Sequence, residues 1–299
     1  AGPGDGAARP AVGDEPAAGL PAPAGDRAGG ALVMLSLSSH RPLRPALGAG
    51  LEVEGITVCF GGLVALDAVS FSAAMGRVTG LIGPNGAGKT TVFDVCSGLR
   101  RPAHGTVSLF GADVSRIGPA GRARAGLGRT FQRMQLFDSL TVAENVAMGR
   151  EAAFAGSNLL RQLAGSRRER ADIADAAGAA MEQCGLGPLA GRRVGGLSTG
   201  QRRLVELARA LAGRFRFLLL DEPSSGLDHG ETDEFGRIVT EVVDGGALGI
   251  LIVEHDMRLV MEVCDHLFVL DFGILLCDGS PAEIAASPQV RAAYLGEEG

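Results

Sequence analysis

The run Gly83-Pro84-Asn85-Gly86-Ala87-Gly88-Lys89-Thr90 sets glycines, a lysine and a hydroxyl in the order G-x-x-x-x-G-K-T. Glycine lets the backbone curl, so that successive N–H groups converge on one anion, and a helix that follows adds its positive end. In such a loop Lys89 reaches the β- and γ-phosphates of a nucleotide and Thr90 places a hydroxyl on Mg2+, with Thr91 next in the same helix. Lys89 is the only lysine of a chain that otherwise uses arginine, and a phosphate loop is where a compact, rotatable ammonium matters most. A second group is Phe217-Leu218-Leu219-Leu220-Asp221-Glu222, an apolar run ending in two carboxylates. A buried strand would deliver both at a sheet's carboxyl edge, Asp221 toward Mg2+ and Glu222 as general base for an attacking water.

The elements around these groups are legible as an alternation. Residues 77–82 form a short apolar strand running into the glycine-rich turn, and residues 89–97 are compatible with the helix that must follow it. Further apolar strands are expected at 217–220, 248–253 and 266–270, with helices at 201–212 and 231–243. Strands alternating with helices imply an α/β fold with a parallel sheet covered on both faces. Residues 51–60 and 63–73 flank Gly61-Gly62 and predict a small antiparallel sheet. The strand signal fades between 134 and 194, where Ala-, Arg- and Glu-rich stretches such as 166–184 predict an inserted helical subdomain, spanning about 134–212 with the helix at its end. Residues 1–49, rich in Ala, Gly and Pro, are expected to form a disordered tail ahead of a domain over 50–299.

Composition narrows the class. The chain has 299 residues and a net charge of −6, with no basic footprint for nucleic acid. Cys59, Cys96, Cys184, Cys264 and Cys277 form no C-x-x-C pair and read as reduced thiols of a cytosolic protein. No stretch approaches the ~18–20 apolar residues that cross a bilayer, and the apolar run at 31–37 lacks the basic flank of a signal peptide. Any membrane-spanning part is therefore expected from another chain.

Leu197-Ser198-Thr199-Gly200-Gln201, followed by a helix with Ser198 as a plausible N-cap, resembles the signature of the ABC transporter ATPases, commonly L-S-G-G-Q. Thr199 stands where glycine is commoner, and its side chain is expected near the nucleotide. The resemblance covers 51–299 and implies further roles. Gln132, in Arg129-Thr130-Phe131-Gln132, is similar to the Q-loop glutamine that contacts Mg2+ and the attacking water. Ser225-Gly226-Leu227-Asp228 resembles the D-loop, and His255 the switch histidine that bonds the γ-phosphate. Phe60 lies where the family stacks an aromatic ring, commonly Tyr, on adenine. Two such subunits would face head to tail, with Ser198, Thr199, Gly200 and Gln201 of one meeting ATP held by the Lys89 loop of the other.

The runs Phe60-Gly61-Gly62-Leu63-Val64-Ala65-Leu66, Arg129-Thr130-Phe131-Gln132 and Ala293-Tyr294-Leu295-Gly296 resemble the LivG-like ATPases of branched-chain amino-acid importers. That implies permease subunits as partners, a LivF-like second ATPase or a second copy of this chain, and indirectly an extracytoplasmic solute-binding protein. It also implies a peripheral position on the cytoplasmic side of the membrane. A soluble, non-transport ABC ATPase and an exporter ATPase share the same motifs. A GTPase is disfavoured because its N-K-x-D motif needs a second lysine.

Overall fold

The structure is a computed structural model that describes residues 48–154 and 167–290. The tail 1–49, but for its last two residues, and the run 293–296 lie outside the described residues.

Two sheets organise the chain. The first is antiparallel, in the order β2-β1-β4-β5, from β1 (Ala49–Phe60), β2 (Leu63–Ala74), β4 (His104–Leu109) and β5 (Ala112–Asp113). Gly61, at φ +59°, turns β1 into β2. The second has the order β10-β9-β3-β8-β7-β6. Its strands β3 (Val78–Ile82), β6 (Leu127–Arg129), β7 (Phe217–Asp221), β8 (Gly249–Val253) and β9 (His266–Asp271) run parallel, and β10 (Ile274–Gly279) closes the edge antiparallel to β9.

The central strands read as unbroken apolar runs because both faces are covered. Val78, Ile82, Leu218, Leu220, Ile250, Ile252, Leu267 and Val269 point into one core. Their alternates Leu81, Phe217, Leu219, Leu251, Val253, Phe268 and Leu270 point into the other. That second core also takes in Val92, Phe93, Val95 and Cys96 of α1 (Lys89–Ser97) and the inner face of β1, β2 and β4. So α1 is packed between the two sheets. Its carbonyl end is gripped by Arg122 of α2 (Pro119–Arg124), whose Nη1 donates to Val95 O at 2.6 Å and Cys96 O at 2.7 Å, while Nε donates to Ile117 O at 2.9 Å. Burial pulls this guanidinium below its ordinary pKa, and the three carbonyls are what replace water around it.

The first core extends through α6 (His229–Asp244) and α7 (Met257–Val263) to three helices that pack on one another, α3 (Val142–Phe154), α4 (Arg167–Gln183) and α5 (Thr199–Ala212). A short α8 (Pro281–Ala286) follows β10. The antiparallel sheet is thus larger than the sequence suggests. β4 buries only Val107 and Leu109, β5 has two exposed residues, and β10 is half solvent-facing, so none carries a strong apolar period. Among the described residues no helix is long and apolar enough to cross a membrane.

Candidate functional site

Three strand ends converge on one edge of the parallel sheet. Leu81 and Asp221 both pair with Val253, so β3, β7 and β8 finish side by side. Past β3 the chain enters the glycine loop. Gly83 takes φ +153°, Gly86 φ +82° and Gly88 φ +104°, a sequence that side chains resist. Two of the glycines are also needed for space. A Cβ on Gly83 would stand 2.0 Å from Leu270 O, and one on Gly88 would stand 2.8 Å from Leu66 Cδ2. The bond from Gly273 N to Ala87 O, at 3.0 Å, ties the loop to the β9–β10 turn. Pro84 is half-buried, Asn85 and Gly86 are exposed, and Ala87 is buried. Gly88 N-caps α1 without a side chain, so the loop and helix start form a cradle whose backbone N–H groups are suited to phosphates. Lys89 curls over this cradle, its Nζ donating to Gly83 O at 2.5 Å and Pro84 O at 2.9 Å. Thr90 is exposed at the mouth and Thr91 half-buried.

Past β7 lie the carboxylates. Asp221 is 4% exposed, and its Oδ2 accepts Arg129 Nη2 at 2.9 Å. Burial pushes this acid above the usual carboxylate range, against the pull of Arg129. Arg129, at the end of β6, also donates through Nη1 to Asp94 Oδ1 at 2.8 Å and Ser97 Oγ at 2.9 Å, fastening α1 to the end of β7. Glu222 sits at φ +46°, in the left-handed region, a strained placement of the kind that persists where neighbours over-determine it. Its N–H donates to Val253 O at 2.9 Å, and its Oε2 accepts Gln132 Nε2 at 2.7 Å. A carboxylate oriented by one amide and open to solvent beside a phosphate cradle can polarise a water.

Past β8, the Glu254 carboxylate is fully buried and spans two loops. Oε1 accepts the Ser224 N–H at 2.7 Å, and Oε2 accepts the His255 N–H at 3.2 Å. Burial raises its pKa, and these backbone donors oppose the rise. Glu254 therefore fixes the loop bearing Glu222 against the loop bearing His255, whose imidazole is largely exposed on that edge. Phe60 is half exposed at the end of β1, and the Arg100 guanidinium lies 4.1 Å from its ring centroid. The structure thus gathers Gly83 to Thr91, Gln132, Asp221, Glu222 and His255 at one edge, with Phe60 at the end of the flanking hairpin.

The signature residues have other neighbours. Ser198 N-caps α5 in a full capping box with Gln201, and its Oγ donates to Glu231 Oε1 at 3.0 Å. Gly200 N donates to the same oxygen at 3.3 Å. Thr199, expected near a nucleotide, has its Cγ2 3.4 Å from where a Cβ on Gly226 would stand, so it packs on the D-loop of its own chain. Arg129, Glu254 and Glu231 were not singled out by the sequence. Only Glu231 left a local trace there, as the third residue after a capping Asp228.

Behind the edge a cleft of about 400 Å³ opens between the β6–α2 side and the α3–α5 side, lined by Leu99, Ala123, Leu127, Phe131, Met148 and Ala210 among others. Phe131 and Leu99 are exposed there, and Phe131 adjoins Gln132. Beneath it lies a buried pair, Arg203 with Glu206 at 3.1 Å, and Arg203 Nη2 donates to Gln132 O at 3.1 Å. Burial holds Glu206 above the usual carboxylate range, against its Arg203 neighbour.

Comparison with known proteins agrees with this geometry. A family model described as ABC transporter matches residues 66–225, and one described as Branched-chain amino acid ATP-binding cassette transporter matches residues 275–299. The chain is 38% identical over 250 residues to the high-affinity branched-chain amino acid transport ATP-binding protein BraF of Pseudomonas aeruginosa, covering 83% of this chain and 98% of the relative. It is 36% identical over 252 residues to LivG of Escherichia coli, a protein of the same description, with the same coverage. The lipopolysaccharide export system ATP-binding protein LptB of Haemophilus influenzae is 34% identical over 248 residues, covering 83% and 98% of the two chains. Among solved structures, the ADP conformation of MJ1267, an ATP-binding cassette of an ABC transporter, superposes with a TM-score of 0.74 at 32% identity, covering 83% of this chain and 99% of that one.

Proposed function

The chain belongs to the ABC transporter family of ATP-binding cassettes, and on that footing we propose that it hydrolyses ATP to drive import of branched-chain amino acids or similar small polar solutes. The names of the relatives BraF and LivG support the cargo, as does the C-terminal match. The observation that carries the catalytic reading is the 2.7 Å bond from Gln132 to Glu222 beside the Lys89 cradle.

In this reading the backbone N–H groups of the glycine loop and the Lys89 ammonium hold the β- and γ-phosphates, while Phe60 stacks on adenine. Thr90, Asp221 and Gln132 would supply oxygen donors for Mg2+, which when bound would neutralise charge developing on the phosphates. Glu222 accepts a proton from the attacking water as that water meets the γ-phosphorus, and His255 donates to a γ-phosphate oxygen. Gln132, next in the chain to the cleft-lining Phe131, orients the carboxylate. The start of α5 in a second ATPase subunit, a LivF-like chain or another copy, adds donors to the same phosphate. An apolar element of a permease seated in the cleft would press on Phe131 and so on Gln132, through which closure of the ATPase pair reaches the membrane from its cytoplasmic side. The insert over about 134–212 forms one wall of that cleft, through Met148, Gly149 and α5.

Glu222→Gln is expected to lower turnover ~10²–10⁴-fold while ATP binding persists; turnover like the parent's would remove Glu222 from its role. Affinity purification of that variant from native cells, with Mg-ATP in mild detergent, should recover two multi-span permeases and a sister ATPase. Recovery of ribosomal or DNA-repair proteins without a membrane chain would keep the ATPase and overturn the transporter.

A further inference from the structure

We infer that Glu231 is an internal stand-in for phosphate at the start of α5, and that ATP-driven pairing of two ATPase subunits requires this carboxylate to let go. The inference rests on the proposed head-to-tail dimer. Its observation is independent, a carboxylate of this chain already seated on the donors that such a dimer would need.

Glu231 Oε1 accepts two donors, the Ser198 hydroxyl at 3.0 Å and the Gly200 N–H at 3.3 Å. A negatively charged oxygen at an N-terminal helix turn, taking a hydroxyl and a backbone N–H, is bound as a terminal phosphate oxygen would be. Gly200 has to be glycine for this approach, because a Cβ there would stand 2.4 Å from Glu231 Cδ and 2.5 Å from Oε1. A serine hydroxyl has one proton, so it cannot serve Glu231 and a γ-phosphate at once. The approaching phosphate and the carboxylate also repel each other. The two are therefore alternatives.

The other end of the contact makes it a latch and not merely a plug. Glu231 lies in the first turn of α6 and exchanges bonds with Asp228, its N–H donating to Asp228 Oδ1 at 2.8 Å while its Oε2 accepts the Asp228 N–H at 3.4 Å. Asp228 ends the Ser225-Gly226-Leu227-Asp228 loop, and Thr199 packs on Gly226. Within the single chain the signature turn is thus tied to its own D-loop, and release of Glu231 frees both together.

The test uses the full chain carrying Glu222→Gln, so that hydrolysis does not drain the complex. Mg-ATP is titrated, with the chain alone and with its paired ATPase subunit, and association is followed by sedimentation velocity. Adding Glu231→Ala should lower the ATP concentration for half-maximal association roughly tenfold, the scale of one charge-assisted contact removed. Glu231→Gln, which keeps an acceptor but no charge, should fall between. Nucleotide affinity of the unassociated chain and its urea midpoint are measured alongside, so that a misfolded Glu231→Ala is recognised and Glu231→Gln then decides. Association of the parent with unchanged or weaker association of a folded Glu231 variant overturns the latch alone. No ATP-dependent association even of the parent overturns the head-to-tail reading and the latch with it.

Discussion

The starts of α1 and α5 both present backbone N–H groups suited to phosphate, and they are finished in opposite ways. At α1 the N-cap is Gly88, with φ +104° and no side chain, and its position is dictated from outside by Leu66, Ala65 and the β9–β10 turn. At α5 the N-cap is Ser198, closed by Gln201 within the helix and by Glu231 from α6. The first end is held open by backbone that cannot move without disturbing two sheets. The second is held by exposed side chains that can exchange partners. A rigid, uncapped helix start suits a site that must bind nucleotide alone. A capped, exchangeable one suits a surface that acts only when a second subunit arrives.

Substitutions can break or sharpen this contrast. The largest effect is expected at Gly83→Ala, which combines backbone strain of ~1–3 kcal/mol with a clash against Leu270 O that costs about 1–3 kcal/mol more. Both the urea midpoint and ATP affinity should fall; a stable, ATP-binding variant would mean the cradle is more pliable than the contrast requires. Next comes Glu254→Gln. One amide oxygen can serve Ser224 or His255 but not both, and the amide NH2 then opposes a backbone N–H, for a loss of about 1–3 kcal/mol. Denaturant unfolding measures it, and an unaltered midpoint would remove Glu254 as the strut between the two loops. The smallest is Ser198→Ala, a lost N-cap worth ~1 kcal/mol. In that variant the stabilisation of the single chain by saturating ATP, about 2.7 kcal/mol at a hundredfold excess over Kd, should be unchanged in thermal unfolding. Its loss would merge the two helix starts into one site.

The same contrast explains what could be read in the sequence. The α1 side is spelled out locally, since an apolar strand, a glycine run and Lys89 follow one another within the chain, and α1 begins at Lys89 as expected. Ser198 as a cap was legible for the same reason. The bonds from Ser198 and Gly200 to Glu231 span 33 and 31 residues, and those from Arg129 to Asp94 and Asp221 span 35 and 92. No local periodicity encodes such partners, because burial and topology bring them together. Thr199 is instructive too. Its type marked it as unusual, but only the fold reveals that the side chain meets Gly226. The strands β4, β5 and β10 escaped because short, largely exposed strands have little apolar pattern to display.

Arg122 gives α1 a mechanical character. One end of this nine-residue helix is the phosphate cradle, and the other is clamped through Val95 O and Cys96 O to α2, which lines the cleft. The helix spans ~13 Å at 1.5 Å per residue, and its apolar side chains are buried in the core between the two sheets. In the proposed reading, a load applied to α2 would therefore be delivered along this helix to the cradle that holds the phosphates, a short axial route in parallel with the one through Gln132.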